Sequence, residues 1–495
     1  MRAVLTRVGG WLQAMPLEYR VLCALFVISR LAVRALGLRY SLQLNWMFID
    51  DPARLQHHLL DSLVSFHVYP PGMNILTGLL LKLSPENIVG WAHFLYAVSG
   101  LVLSGSLLYL LRAIGVPRGW ALGVSVVFGL TPPALYFENL YLYTYPTATL
   151  VCFGGACLHW ALRRGSRAAF GVFFLVAALL GILRSTFHIS WFFALVALAV
   201  LLCERGQRRR VLALAILPSA LLLSLYVKNY IIFDSFGSTS AGGANLTLMT
   251  VARMPKKLRD EWVNSGKLSP FAKISVYAPP RAYLKHFESA HSERWPELSA
   301  LEHSTGSPNF NHWFFMEANR QRGADAMVVL RARPMEYLRV VLLGLQQIFE
   351  PTTKWHPQTG KPGSPHYQHD QALGRYTTLY NRLVHGWPGA PVGLYWLLPL
   401  VLAMALHRVW QLRAARAADA RAELAILLYC GFQIVYVVVI SSLFTIGESA
   451  RYRFQIEAPI WFLSAHAALR LARSVSSLRA RRARKARSRM ESAQP

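Results

Sequence analysis

The feature that most constrains this chain is a series of apolar runs, each long enough to cross a bilayer, which takes about 20 residues. They occupy 17–38, 88–111, 119–137, 142–162, 168–184, 187–203, 211–232, 391–409, 423–444 and 453–472. Two shorter apolar runs, 70–83 and 335–349, are too brief for a simple crossing. In lipid every backbone polar group has to be satisfied inside the chain, and a helix does so segment by segment. The expected fold is therefore an all-α polytopic membrane protein with about 10–12 transmembrane or re-entrant helices. Composition agrees, because 54% hydrophobic and 15% charged residues lie outside the range of soluble globular domains. The five cysteines, Cys23, Cys152, Cys157, Cys203 and Cys430, all fall in apolar segments and are odd in number. They read as small core residues, not as a disulfide framework.

Charge then sets the direction of the chain. A net charge of +28 points at first to nucleic acid, but the arginines concentrate in short links between apolar runs and in the tail LARSVSSLRARRARKARSRM. That is how membrane topology is written, so the expected partner of the tail is anionic membrane lipid, with no nucleic acid. Let the N-terminus, with Arg2 and Arg7, be cytoplasmic and let both short runs stay on one side. The links Arg112 to Arg118, Arg163 to Arg167, Glu204 to Arg210 and Arg413 to Arg421, and the tail, then all fall inside. A crossing at 70–83 would move at least three of those links outside, so both short runs read as re-entrant or interfacial helices on the external side. Arg/Ala-rich usage without organelle signals points to a bacterial inner (cytoplasmic) membrane, multi-pass, with both termini cytoplasmic, and leaves a eukaryotic host open. The first apolar run lacks an A-x-A-like exit, so no cleavable signal peptide is expected.

The domain plan follows. Residues 1–232 form an N-terminal transmembrane module whose first external loop is 39–88, and 233–390 form a mostly helical external (periplasmic) region with an interfacial helix near 335–349. Residues 391–472 return as C-terminal transmembrane helices, and 473–495 are the basic cytoplasmic tail. The outer face gathers 39–88, 138–142, 184–188, 233–390 and 445–452, and these segments should converge.

Within the first loop, NWMFIDDPARLQHHLLDSLVSFHVYPPGMNILTGLLLKL carries the acids, the histidines and a Pro-Pro-Gly turn. Pro52 suits the first turn of a helix, which makes Asp51 a natural N-cap. Both acids can be accounted for as capping residues in a solvated loop. The stretch also resembles the first external loop of the GT-C glycosyltransferases, polytopic enzymes that take sugars from polyprenyl-phosphate carriers, such as protein O-mannosyltransferases and the lipid A aminoarabinose transferase. In that family an Asp-Glu-x-Arg-like motif follows the first span, and a His-Pro-Pro or Lys-Pro-Pro turn comes later. Asp51-Pro52-Ala53-Arg54 and Tyr69-Pro70-Pro71-Gly72 stand in those places here, with Pro52 where the family has Glu and no Lys before the prolines. The resemblance in layout extends over most of the chain. It implies sugar transfer from a polyprenyl-phosphate-linked donor to a glycan, lipid or protein acceptor.

Other outer-face residues fit parts of such a site. Arg184 and His188 form a tight corner between two runs, where a guanidinium is costly unless it is used or reaches water; Arg184 is either an interfacial anchor or a phosphate ligand. Arg451 and Arg453, in Gly447-Glu448-Ser-Ala-Arg-Tyr-Arg, lie outside against the positive-inside bias. They either pair with Glu448 and Glu457 or meet an anionic ligand, and in the resembling family a late Arg-Tyr element lies by the lipid phosphate. Arg30 and Arg34 share one helix face and either neutralise Asp50 and Asp51 or extend a phosphate site. Lys228 either snorkels or joins them. His67, Tyr69, Glu138, Asn139, Asn245 and Glu448 are the candidates for substrate contact. The tyrosines around 136–145 are equally explained by an interfacial belt, and 238–245 reads as a flexible polar turn.

Sugar transfer needs a base for the acceptor hydroxyl, cations for the leaving phosphate and a dry cleft open to lipid. Adjacent helical side chains diverge by roughly 100°, so one of Asp50 and Asp51 is the base, with the family register favouring Asp51 and the capping argument leaving Asp50 freer. Direct displacement would invert the anomeric centre. No cofactor is required; a divalent metal is possible but not indicated, the candidate ligands being His366, His369 and Asp370, with His303 and His312 in another stretch. Walker A, GxGxxG, HExxH, CxxC and GxSxG patterns are missing. Two rivals stay open: an O-antigen-ligase-type transferase with a diphosphate lipid donor and no need for an Asp base, and a non-enzymatic flippase or transporter of lipid-linked sugar.

Overall fold

The computed structural model describes residues 15–351, 371–386, 393–415 and 417–491. Among the described residues each apolar run of the sequence is largely helical. After α1 (Leu17–Ala35), the first loop contains α2 (Pro52–His57), α3 (Leu59–Ser65) and the apolar α4 (Gly72–Leu83). A closely spaced series follows: α5 (Ile88–Ala113), α6 (Arg118–Leu130), α7 (Pro132–Glu138), α8 (Thr144–Arg164), α9 (Arg167–Leu183), α10 (Ile189–Leu202) and α11 (Arg208–Phe233). The middle region holds α12 (Gly242–Met249), α13 (Lys256–Asn264), α14 (Phe314–Ala332), α15 (Pro334–Gln347) and α16 (Gln371–His385). The chain returns as α17 (Leu398–Leu412), α18 (Ala418–Phe444), the short α19 (Ser449–Gln455) and the long α20 (Glu457–Glu491). No strand forms among the described residues; Ser41 and Leu140 meet in an isolated parallel bridge.

By length and composition, the helices over 85–113, 205–233 and 418–444 can cross a membrane, and α6 with α7, bent by 58°, makes a fourth if the pair is one span. The remaining runs are helices that are shorter or less apolar than such a crossing needs. The reason is local: α9 starts only at its Ser166 cap, which accepts from Ala169 N at 3.3 Å, and stops at the extended backbone of Arg184.

At the centre stands α8, packed against α5, α9 and α18. Small residues allow the approach of α18: a Cβ at Gly155 would come within 2.9 Å of Ile426 Cδ1, and Tyr429 Oη donates to Val151 O at 2.8 Å. Close backbone approach at small residues is how helices associate where solvent apolarity gives no drive.

The two ends of the bundle differ. At one end the basic links meet acids: Arg163 with Asp419 at 2.8 Å, Arg421 with Glu204 at 2.8 Å, and Arg112 and Arg118 around Glu18. At the other end the first loop, the 140–143 and 184–188 turns, the middle region and α19 converge. The middle region is held there by two small apolar cores. One gathers Val251, Met254, Leu268 and Val329, and the other gathers Phe271, Tyr283, Phe314 and Phe315. The wholly buried Arg322 staples the second core, donating to Ile274 O at 3.0 Å, Ser275 O at 3.1 Å and Tyr283 Oη at 2.7 Å.

Candidate functional site

A cleft with a cavity volume of about 140 Å³ lies at this second end. One wall comes from the bundle: Phe48 and Tyr69 of the first loop, Tyr143 at the start of α8, Arg184 at the end of α9, and Glu448, Arg451 and Tyr452 around α19. The middle region supplies the other wall through Asn245 of α12, Tyr277, and Phe315 and Asn319 of α14. The segment 238–245, expected to be a flexible turn, is instead fixed. Ser240 N donates to His67 O at 2.9 Å, and α12 begins at Gly242, so that Asn245 faces the cleft from a helix. Gly243 makes this possible, since a Cβ there would fall 1.8 Å from Asn319 O.

Arg184 dominates the cleft's chemistry. It is only 4% exposed, its guanidinium carbon lies 4.2 Å from the Tyr143 ring centre and 4.0 Å from that of Tyr452, and its Nε donates to Thr186 Oγ1 at 3.1 Å. Its Nη1 is buried and has no hydrogen-bond partner among the described residues, and no carboxylate there comes within ion-pair distance. Cation–π contact with two rings offsets part of the desolvation, by roughly 1–2 kcal/mol per desolvated ring, but a buried cation with a spare donor still favours an anion. Arg451 stands beside it. Its Nη2 donates to Tyr143 Oη at 2.9 Å and to the Glu448 carboxylate. Burial works against the Arg451 charge, but the Glu448 carboxylate outweighs it and holds the guanidinium's pKa above its ordinary value. The turn that delivers Glu448 depends on Gly447, whose φ of +85° belongs to the left-handed region, and Gly447 N donates to Gln347 Oε1 at 2.7 Å.

Of the candidate residues read from the sequence, Tyr69, Arg184, Asn245, Glu448 and Arg451 line this cleft. The others have different partners. Asp51 caps α2 by accepting from Ala53 N at 2.9 Å, and its carboxylate also accepts from Ser304 N at 2.7 Å and Ser304 Oγ at 2.5 Å. Burial pushes its pKa up, but these donors outweigh it and hold the carboxyl below its ordinary value. Asp50 is 1% exposed; its backbone N donates to Asn74 Oδ1 at 2.8 Å, Ser62 Oγ donates to its carboxylate, and Arg54 Nη1 stands 3.9 Å away. Neither acid faces the cleft, although Phe48 just before them does.

Arg30 does not reach the first-loop acids either. It forks onto Glu138, with Nε to Oε1 at 2.9 Å and Nη2 to Oε2 at 2.5 Å, while Tyr145 Oη donates to the same carboxylate at 2.8 Å. Glu138 is thereby occupied, and Asn139 Nδ2 donates to Leu135 O at 2.9 Å. Lys228 donates to Phe66 O at 2.5 Å and Leu63 O at 3.3 Å, tying α11 to the first loop. His67 is a clasp, with Nδ1 2.7 Å from Ser240 Oγ and Nε2 3.1 Å from Asn311 O, and burial pushes its pKa down to about 3. His188 caps α10 through Ser190 N at 3.3 Å. Arg453 points away from the cleft, donating to Ile348 O at 2.5 Å and Glu350 O at 3.0 Å, with Glu457 at 3.4 Å.

Sequence reasoning missed Tyr277, Phe315 and Asn319 as lining residues, reached Tyr452 only as part of the late Arg-Tyr element, and took Tyr143 as one of several belt tyrosines. Only Tyr452 carried a local signal, by sitting next to Arg451. Among the described residues no group of three or more His, Cys, Asp or Glu side chains is placed to hold a metal. His303 and His312 bond Asn309 Oδ1 at 3.1 Å and Ser299 O at 3.2 Å, and His366, His369 and Asp370 lie outside the described residues. No protein-family model, curated protein or solved structure matches the chain.

Proposed function

We propose that this protein is a polytopic membrane glycosyltransferase of GT-C type. In this reading it moves a sugar from a polyprenyl-phosphate donor to a hydroxyl of a lipid, polysaccharide or protein, with inversion, on the external face of a bacterial inner membrane. The bundle spans the membrane with both termini inside, and the cleft opens on the outer side.

One observation carries the reading: Arg184, buried between Tyr143 and Tyr452, has a free donor and no carboxylate partner among the described residues. A leaving phosphate supplies the missing anion, and Arg184 and Arg451 stabilise charge as it builds on the departing oxygen. Tyr69, Tyr277 and Phe315 offer faces for sugar rings, and Asn245 and Asn319 offer amides for hydroxyls. The apolar helices beneath the cleft suit a prenyl chain.

The test is purified full-length protein in liposomes with radiolabelled polyprenyl-phosphate sugar and a membrane extract as acceptor source. Release of polyprenyl phosphate that depends on Arg184 supports the reading; no release sinks it. An anomerically retained product by NMR counts against inversion. The ligase-type alternative draws on one observation, that Asp50 and Asp51 are both tied outside the cleft. In that case the monophosphate-linked donor stays intact, and a diphosphate-linked donor supplied in a parallel reaction releases its carrier as the diphosphate, which the same chromatogram resolves.

A further inference from the structure

Glu448 is the only carboxylate among the described residues lining the cleft. Its side chain is 31% exposed where its partner Arg451 is 7% exposed, so one side of the carboxylate is salt-bridged and the other meets open space. Tyr69 and Tyr277 flank the same space. Burial raises the phenol pKa of Tyr277, and the charge of Glu448 adds to the effect. The first-loop acids have no such freedom, Asp50 being sealed against Ser62 and Asn74 and Asp51 clamped by Ser304.

We propose that Glu448, and neither Asp50 nor Asp51, accepts the proton of the attacking hydroxyl. The inference rests on the glycosyl-transfer reading of the cleft. In the step, the acceptor oxygen forms its bond to the anomeric carbon as its proton passes to a Glu448 carboxylate oxygen. The bond from the anomeric carbon to the phosphate oxygen breaks, and its electron pair stays on the phosphate beside Arg184. Protonation removes the charge that holds Arg451. The guanidinium, still bonded to Tyr143 Oη at 2.9 Å, becomes a second cation for the phosphate as the phosphate gains charge. Loss of the proton to water restores the pair. Arg184 is thus a standing cation and Arg451 one that is released in step with proton transfer, which concentrates stabilisation on the transition state.

The experiment compares E448Q, E448D, D50N and D51N with wild type in the liposome assay, alongside binding of polyprenyl phosphate alone. For E448Q, transfer is expected to fall by about 100- to 10,000-fold, the usual contribution of a positioned base. Its carrier binding should change less than about tenfold. E448D, which keeps the acid at shorter reach, should retain slow transfer with its acidic pH–rate limb displaced. Transfer by E448Q within about tenfold of wild type, an unmoved limb in E448D, or equal losses of binding and transfer in E448Q would each overturn the assignment. So would abolition by D50N or D51N with E448Q active. Wild-type protein that releases no carrier phosphate defeats the underlying reading instead, and the variants play no part in that outcome.

Discussion

Arg30 and Arg184 are both mostly buried arginines set against aromatic rings, the first 3.9 Å from the centre of Phe26 and the second between Tyr143 and Tyr452. Around Arg30 every need is met: Glu138 takes both arms of the fork and Tyr145 completes the carboxylate. Around Arg184 one hydroxyl, Thr186, accepts, and a donor is left over. The first arrangement is what a chain builds to hold itself together, because a buried charge with a bidentate partner is neutral and saturated. The second keeps capacity in reserve, and reserve capacity at the wall of a cleft is what a ligand uses. The same residue type in similar burial therefore separates into structure and function by its partners alone.

That contrast can be broken most sharply at Glu138. E138A leaves Arg30 buried and uncompensated, which should cost about 3–5 kcal/mol. A large drop in the thermal midpoint is expected, with R30M/E138L recovering much of it; an unchanged midpoint would show the pair to be ornamental. R184M should do the reverse. Deleting a cation that lacks a partner leaves the midpoint level or higher, while polyprenyl-phosphate binding weakens by roughly 10- to 100-fold, the loss of a charge-assisted bond worth about 1.5–3 kcal/mol. Should R184M melt like E138A, the distinction fails.

Smaller effects sharpen the picture of the walls. G243A places a methyl against Asn319 O and should cost about 1–3 kcal/mol as overpacking, lowering activity by displacing Asn245; differential scanning calorimetry beside the transfer assay checks both. The least effect is expected at Asp51. Its carboxyl is held below its ordinary value in the folded chain, so it contributes stability above the unfolded carboxylate pKa of about 3.9. That contribution is lost as pH falls through the folded value. The acid limb of a thermal-stability profile should flatten in S304A, with about 1 kcal/mol lost near neutrality; an unaltered profile would mean that the Ser304 clamp is idle.

Much of the helical architecture was legible, because periodicity and hydropathy are local signals. The cap at Asp51 was legible for the same reason, being written in the Asp-Pro pair itself. The partners were not. Ser304 lies 253 positions from Asp51, and Glu138 lies 108 from Arg30, and nothing in either neighbourhood announces the other. Arg451 and Arg453 looked alike as neighbours in sequence. About 100° per helical residue puts them some 200° apart, so one had to face away from any shared site. Tyr143 was the hardest, since one tyrosine in a row of tyrosines carries no mark of the two guanidiniums it serves.

All seven residues of α19 are buried, and Arg453 moors that helix to the Ile348 and Glu350 carbonyls while Arg451 reaches the opposite way. Such a helix has no slack along its axis. A ligand that draws Arg451 off Glu448 must do so by swivelling the side chain about a fixed peg, so the cleft can exchange partners without any segment of backbone having to slide.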